Sequence, residues 1–337
     1  MRKKRNSNKK ITAKIVGINL AFLILSQIIV GICFSIPMVY YGPFIRLREI
    51  LVTSAMTTMN HQYIVEKFIS AAEINRIMEK YKFDDNKNSD EDSIEVMAPV
   101  KKPEEVNLDP THGINIENIQ GPTYKGFVVT IDDPKRIKVG TTNKLGSEGI
   151  KLEELVKNRG AILGINAGGF VDPEGKGNGG QPLGLIIEDG KVINGNNNET
   201  YSLVGFDESG VLVLGKYNLA QIKKKNIKEA VSFYPFLVVD GEPMIKQGDG
   251  GWGIAARTAI GQRRDGTIVM IIINGRQVDS PGATIKEVQN IMVEYDVYNG
   301  ANLDGGSSTM LVFDGKIYNK PASPYGFRPL PSAFIVK

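Results

Sequence analysis

From Ile15 to Ile36 the chain carries no charged residue and reads IVGINLAFLILSQIIVGICFSI. At about 1.5 Å per residue, a helix of this length covers a hydrocarbon core of ~30 Å. Asn19, Ser26 and Gln27 are polar but uncharged, and an otherwise apolar run tolerates them. The pattern then becomes helical in spacing over Gln62–Lys80. There Ser70 and Glu73 stand as a capping box, with Ile74, Ile77 and Met78 as the apolar stripe of a stalk or packing helix. Lys82–Pro110 is polar and acidic, is broken by Pro99, Pro103 and Pro110, and reads as a linker. Beyond it, short apolar runs alternate with glycine turns. Asp189-Gly190, Ser209-Gly210, Asp265-Gly266 and Asp314-Gly315 each separate two apolar runs and predict four hairpins. One helix interrupts them, Thr284–Tyr295, with Thr284 and Glu287 as capping box and Ile285, Val288, Met292 and Tyr295 on one face. The pattern predicts an α+β chain: a β-rich, mixed-sheet domain with few helices, preceded by one N-terminal transmembrane helix. The absence of βαβ alternation speaks against a doubly wound parallel sheet. The expected organisation is a basic tail (1–14), a membrane span (15–36), a helical stalk (37–81), a linker (82–110) and a folded domain (111–337).

Charge changes this picture in one respect. The net charge is +4, but residues 1–14 hold seven basic residues and no acid, which leaves 34 basic against 37 acidic residues elsewhere. The positive charge is therefore a topological signal, placing the N-terminus in the cytoplasm and everything after Tyr40 outside. The rest of the chain, near −3, lacks the basic balance of a nucleic-acid binder. A cleaved signal peptide would have a shorter apolar region and a small-x-small site, and SIPMVYYGPF offers none, so an anchor is expected. Cys33 follows the bulky Ile32 and reads as an apolar residue of the span; one cysteine excludes a disulfide framework. Two histidines, His61 and His112, leave little for a His-based metal centre, and neither is well placed as a base. Gly248-x-Gly250-x-x-Gly253 matches a dinucleotide fingerprint on paper. A strand-like IAARTAIG follows where a helix is needed, and GKGNGG (175–180) fails in the same way.

Chemistry must then come from carboxylates, amides, hydroxyls, arginines and backbone N–H groups at strand ends. Four segments concentrate them: ILGINAGGF (162–170) with Asn166, Gly168 and Gly169; FLVVDG (236–241) with Asp240; RTAIG (257–261) with IIINGR (271–276), carrying Arg257, Asn274 and Arg276; and NLDGGSST (302–309) with Asn302, Asp304, Gly305, Gly306 and Ser307. A glycine pair beside a polar side chain admits a ligand to the backbone. Arg257 and Arg276 offer forked donors suited to phosphate. Asp304 can act as acid, base or nucleophile in glycosidic cleavage. Asp-Gly is also the common hairpin pair, so Asp189, Asp265 and Asp314 read as turns and Asp240-Gly241 stays open between turn and site. Asp304 has more around it than a two-residue turn needs.

These segments, in this order, resemble the phosphodiester glycosidase family, whose bacterial members are labelled exopolysaccharide biosynthesis proteins. The resemblance rests on INAGGF (165–170), QPLGLIIEDGKVI (181–193), ARTAIGQRRDG (256–266) and ATIKEVQNIM followed by NLDGGSSTML (283–311), within about residues 120–337. It implies hydrolysis of a sugar-1-phosphate diester of the N-acetylglucosamine type. With it, Arg257 is expected as phosphate clamp and Asp304 as catalytic carboxylate. Asn166 and the Gly168, Gly169, Gly305 and Gly306 amides would orient sugar and phosphate; Asp240, Asn274, Arg276, Asn302 and Ser307 would line the site. Where relatives read Asp-Gly-Arg, this chain has Asn274-Gly275-Arg276. Asn cannot act as acid or base, so position 274 either weakens catalysis or makes only structural hydrogen bonds. The expectation is a membrane-anchored extracellular hydrolase acting on a phosphate-linked glycan of the cell wall or exopolysaccharide. It needs no cofactor, a divalent metal being left open. The other class on the table is a non-catalytic glycan-binding or assembly protein on the same fold.

Overall fold

The strand Ile268–Ile273 shows how this domain is built. Its sequence, IVMIII, has no polar member, and successive side chains point to opposite faces. Ile268, Met270 and Ile272 enter one buried cluster, while Val269, Ile271 and Ile273 enter another. A strand buried on both faces has no reason to alternate apolar with polar, and this one does not.

The computed structural model describes residues 2–57, 61–81, 87–94, 96 and 113–337. The segment 82–86, most of the expected linker after it, His112 and the side chains of the basic tail before Lys14 lie outside the described residues. Three sheets form the domain. A seven-stranded sheet runs in the order Ile114–Gln120, Lys125–Ile131, Ile268–Ile273, Arg257–Arg263, Val297–Asn302, Phe236–Val239, Glu242–Pro243. A five-stranded sheet runs Lys316–Ile317, Leu311–Phe313, Leu163–Asn166, Ser332–Val336, Ile137–Thr141. A second five-stranded sheet runs Lys191–Asn194, Ile186–Glu188, Ile227–Ser232, Thr200–Asp207, Leu212–Asn218. The ladders between these strands are antiparallel, so the mixture is one of sheets and helices, not of strand directions. All four expected hairpin turns join antiparallel neighbours.

The inner faces of the three sheets share one core: Val129, Ile260 and Met270 from the first, Ile165 and Phe334 from the second, Val204, Phe206 and Val231 from the third. Their outer faces are covered by helices. The helices, in chain order, are α1 (Arg2–Tyr41), α2 (Ile45–Met56), α3 (Tyr63–Glu66), α4 (Ala71–Lys80), α5 (Leu152–Asn158), α6 (Leu219–Lys224) and α7 (Ile285–Glu294). α7 packs Ile285, Val288 and Met292 against the large sheet, and its capping box, Thr284 with Glu287, is complete. α5 covers the second sheet through Leu152, Leu155 and Val156, and α6 the third through Ile222.

α1 holds the apolar stretch Lys14–Tyr41, a helix long and apolar enough to cross a membrane by length and composition. It continues through Pro37, past the expected end of the span at Ile36. The segment read as one helix over 62–80 is two, α3 and α4, interrupted before Ser70, which accepts from Glu73 N–H as N-cap. α2 was not distinguished by sequence pattern. Tyr40 at the end of α1 packs with Val52, Val65, Ile69, Ile74 and Ile77, so the helices form a small cluster of their own. That cluster does not stand off as a free stalk. Ile254 N–H donates to Ser54 Oγ (3.1 Å) and Thr53 Oγ1 donates to Asp249 Oδ2 (3.0 Å), seating α2 on the loop 248–254. Part of the supposed linker is also attached: Ser89 is buried, and its N–H and hydroxyl both engage Leu214 O, at 2.8 and 3.1 Å.

The seat depends on Gly253. Its φ is +57°, and a Cβ there would lie 2.0 Å from Ser54 Oγ and 2.3 Å from Ser54 Cα, a backbone clash that no rotamer relieves. Gly253→Ala is expected to lose about 2–4 kcal/mol through strain and overpacking. Urea denaturation measures this, and faster proteolytic cutting within 45–81 reports that α2 has left its seat.

Candidate active site

Strand ends from two of the three sheets meet at one place. Asn166 closes the 163–166 strand, Asn302 closes 297–302, and Arg257 opens 257–263. The loop after Asn302 crosses between the sheets: Leu303 N–H donates to Thr258 O (2.9 Å) and Asp304 N–H to Ala167 O (3.0 Å). Asn166, 1 % exposed, pins the same loop from below. Its Oδ1 accepts from Thr258 Oγ1 (2.8 Å) and Met310 N–H (3.0 Å), and its Nδ2 donates to Asp304 O (2.6 Å). The sequence reading gives Asn166 a place on the substrate; the structure makes it a strut that positions Asp304.

Asp304 is partly open to solvent in the middle of this junction. Its Oδ1 accepts from Gly305 N–H at 3.0 Å. Burial pushes its pKa up to about 6, and the charge of Asp172 adds to that; the Ser308 hydroxyl, the Gly305 amide and Arg328 oppose it. Asp172 goes the other way. Burial would raise it, but a two-pronged pair with Arg328 (2.6 and 2.5 Å) and the Gly177 N–H hold its carboxyl below the usual range. Two neighbouring carboxylates thus have their acidities pushed apart, the arrangement that separates roles in carboxylate catalysis.

Arg328 also donates to Ser307 Oγ (3.2 Å) and Gly177 O (2.8 Å), and it stacks over the Phe170 ring at 4.7 Å. Neither Arg328 nor Asp172 was picked from the sequence. Arg328 lies in SPYGFRPL, a loop with no motif, and only the fold brings it 156 positions back to Asp172. On the other side of Ser307, Arg276 is exposed and adopts φ +57°. Its Nη2 lies 3.7 Å from where a Gly306 Cβ would stand, and among the described residues its guanidinium has no hydrogen-bonded partner.

The remaining expected residues divide. Arg257 is 4 % exposed, and its donors face the backbone: Nε to Ala283 O (3.0 Å), Nη2 to Trp252 O and Gly253 O (both 2.7 Å). Burial lowers its pKa to about 10, partly offset by Asp249 and Glu287, so it stays charged near neutrality. The phosphate clamp assigned to Arg257 is therefore corrected: it holds the 252–253 loop, and the exposed guanidinium at the site is Arg276. Gly168, Gly305 and Gly306 do not offer their N–H groups to a ligand either. These donate to Ser332 Oγ (3.1 Å), Asp304 Oδ1 (3.0 Å) and Ala256 O (2.9 Å). Their value is closeness, since a Cβ on Gly305 would meet Ala256 O at 2.9 Å. Gly169 is buried against Phe233 and accepts from Leu183 N–H. Asp240 is a turn residue at the far end of the Phe236–Val239 strand, with φ +54°, and its Oδ1 accepts from Asp90 N–H at 2.8 Å. It is not part of this junction. Asn302 is buried with Nδ2 on Tyr234 O (3.3 Å). Asn274 Oδ1 accepts from Lys320 N–H at 3.0 Å, a bond that Asn and Asp accept equally. Among the described residues no three His, Cys, Asp or Glu side chains are grouped to hold a metal ion.

A sequence model of phosphodiester glycosidases matches residues 159–337. Among curated proteins, the chain is 28% identical over 196 residues to the uncharacterised SPbeta prophage-derived protein YomE of Bacillus subtilis strain 168, covering 56% of this chain and 29% of that protein. It is 25% identical over 188 residues to the N-acetylglucosamine-1-phosphodiester alpha-N-acetylglucosaminidase of Bos taurus, covering 51% of this chain and 34% of the bovine one. The chain spans about a third of the length of the curated relatives it matches. Among solved structures, it is similar to the zebrafish N-acetylglucosamine-1-phosphodiester alpha-N-acetylglucosaminidase catalytic domain, auto-inhibited by its pro-peptide, with a TM-score of 0.55 and 24% identity over 66% of this chain and 81% of that one.

Proposed function

This chain belongs to the phosphodiester glycosidase family, and on that footing we propose that it hydrolyses a sugar-1-phosphate diester at the Asp304 junction. The observation that carries the reading is the meeting of one desolvated carboxylate with two guanidinium groups on a single loop: Asp304, with Arg328 on Ser307 and Arg276 over Gly306. The bond broken is C1–O between sugar and phosphate. Water supplies the new C1–O bond, the sugar leaves as the free hemiacetal, and the phosphate leaves as a monoester. Positive charge grows on C1 as that bond stretches, and an ionised Asp304 offsets it. Negative charge grows on the departing phosphate, where Arg276 is the free donor and Arg328, balanced by Asp172, holds Ser307 in place. Asn166 keeps Asp304 in register from beneath. The relatives named for N-acetylglucosamine-1-phosphodiesters make that sugar the first to test.

In the same reading, the Lys14–Tyr41 helix anchors the protein, with the basic tail in the cytoplasm and the domain outside, facing cell-wall or exopolysaccharide material. α2–α4 then hold the domain close to the membrane by their seat on the 248–254 loop.

The test is release of N-acetylglucosamine from methyl N-acetyl-α-glucosaminyl phosphate by the full chain in detergent. Asn274→Asp belongs in the same assay. Because Asn274 serves through one accepted hydrogen bond, its kcat/KM is expected to stay within about threefold of the parent, well short of the 10²–10⁴-fold that a positioned acid or base contributes. A gain of a hundredfold would show that position 274 takes part in the chemistry. Absence of release from any sugar-1-phosphate diester, with the sugar ligand still bound, would leave a glycan-binding protein.

A further inference from the structure

Three aromatic rings converge beside the Asp304 loop, two from one segment and one from another. Phe233 follows the Ile227–Ser232 strand and is held by its N–H on Ser202 O (3.0 Å). Trp252 comes from the loop on which α2 sits, with its carbonyl gripped by Arg257 Nη2. Tyr234 is joined to the catalytic strand end, since its carbonyl accepts from Asn302 Nδ2, two residues before Asp304. Phe233 and Tyr234 are stacked with centroids 6.0 Å apart, and Trp252 meets Tyr234 edge-on at 5.4 Å and Phe233 at 6.3 Å. The cluster is not simply core. Phe233 packs on the common core and Trp252 on the α7 core, but Tyr234 remains 54 % exposed. Phe233 also touches the Gly169 position, so the rings border the same junction as Ala167 and Asp304.

We propose that Phe233, Tyr234 and Trp252 form the platform on which the pyranose ring of the substrate lies, with Tyr234 as the contacting ring. This rests on the hydrolytic reading above for what the neighbouring groups do, but it is a separate claim about binding. A pyranose presents one face rich in C–H groups and ringed by hydroxyls. The negative face of an aromatic ring attracts such C–H groups, and the contact removes apolar area from water without needing a hydrogen bond. Inorganic phosphate or a simple alkyl phosphodiester has no such face. The neighbourhood matches a sugar whose anomeric substituent is anionic: an aromatic cluster tied to Asn302 and the Arg276 guanidinium beside Gly306, on the segment that carries Asp304.

Trp252 is the chain's one tryptophan, so its emission reports on the platform alone. The experiment uses the full chain in detergent, carrying Asp304→Asn to suppress turnover, titrated with methyl N-acetyl-α-glucosaminyl phosphate and, separately, with dimethyl phosphate. The sugar diester is expected to change Trp252 emission saturably and dimethyl phosphate to leave it unchanged. Tyr234→Ala should raise Kd about tenfold, the size of one good ring contact, whereas Tyr234→Phe should stay within about twofold. Equal responses to both probes, or an unaltered Kd in Tyr234→Ala, would overturn the platform. The comparison of the two probes needs no substitution at Tyr234, so it decides even if Tyr234→Ala folds poorly. Sugar binding with these properties and no hydrolysis by the parent protein would leave the platform standing and remove the hydrolytic reading. Hydrolysis with a KM indifferent to Tyr234→Ala would do the reverse.

Discussion

Asp304→Asn is expected to lower sugar release by about 10³-fold, the middle of the range for removing a positioned catalytic carboxylate, while making the protein more stable at neutral pH. The two effects have one cause. Asp304 is half-buried, and burial lifts its pKa from the ordinary 3.8 to about 6. A carboxyl whose folded pKa lies above its unfolded one contributes stability that is complete below the unfolded value. That contribution is lost as pH rises through about 6. At pH 7–8 the folded protein therefore carries an unfavourable charge worth at most about 3 kcal/mol. Asn keeps an oxygen for the Gly305 N–H and has no charge to bury. The variant should outlast the parent in urea at pH 7–8, and the difference should vanish below pH 4. In the parent, the reading of Asp304 as an ionised partner of C1 predicts that kcat/KM rises with pH through about 6, a limb absent from the variant. Retained activity in Asp304→Asn would remove the carboxylate from the mechanism.

Arg257→Ala carries the second large expectation, and it concerns folding. The guanidinium serves the carbonyls of Ala283, Trp252 and Gly253, which truncation would leave without its donors. A buried acceptor left without its donor costs about 1–3 kcal/mol, and three carbonyls lose theirs here. Arg257→Lys should recover little, because a single ammonium cannot reproduce a planar fork directed at two segments. Urea denaturation gives the loss directly, and Trp252 emission should shift as its loop is freed. A stable Arg257→Ala protein with only a raised KM would return this arginine to the phosphate.

Arg257 and Arg276 show why part of the site was not legible. Both follow apolar strands or precede them, and both suit phosphate by chemistry alone. What separates them is the position of carbonyls from residues 252, 253 and 283, which surround one and not the other. Asp240 and Asp304 differ for a similar reason. Each is an aspartate before glycine after an apolar strand, yet Asp240 lies at the end of its strand remote from the junction and Asp304 lies in it. The N–H groups of Gly168, Gly305 and Gly306 bond within the protein, to Ser332, Asp304 and Ala256, and those of Gly168 and Gly306 find their partners only in the assembled fold.

The local rules carried far. Four Asp-Gly or Ser-Gly pairs became the turns they encode, since a residue pair that tolerates positive φ is sufficient for a tight hairpin. The Thr284–Glu287 box starts α7 because both partners are three residues apart on one turn. The unbroken IVMIII could be buried on both faces, and it is. The crowded NLDGGSST stretch singled out Asp304 because it holds more polar and glycine positions than a turn uses. α2 went unrecognised, as its buried face includes Glu49 and Thr53, polar residues satisfied by distant partners such as Lys80 and Asp249. By itself the sequence determined the apolar span, the β-rich domain, its turns and its main helix, all governed by interactions within a few residues. Only the tertiary structure decided which arginine faces solvent, which glycine amides are occupied, and that Asp172, Arg328 and three aromatic rings surround Asp304. Those depend on contacts between residues up to 164 positions apart, whose geometry exists only once the three sheets have closed on one core.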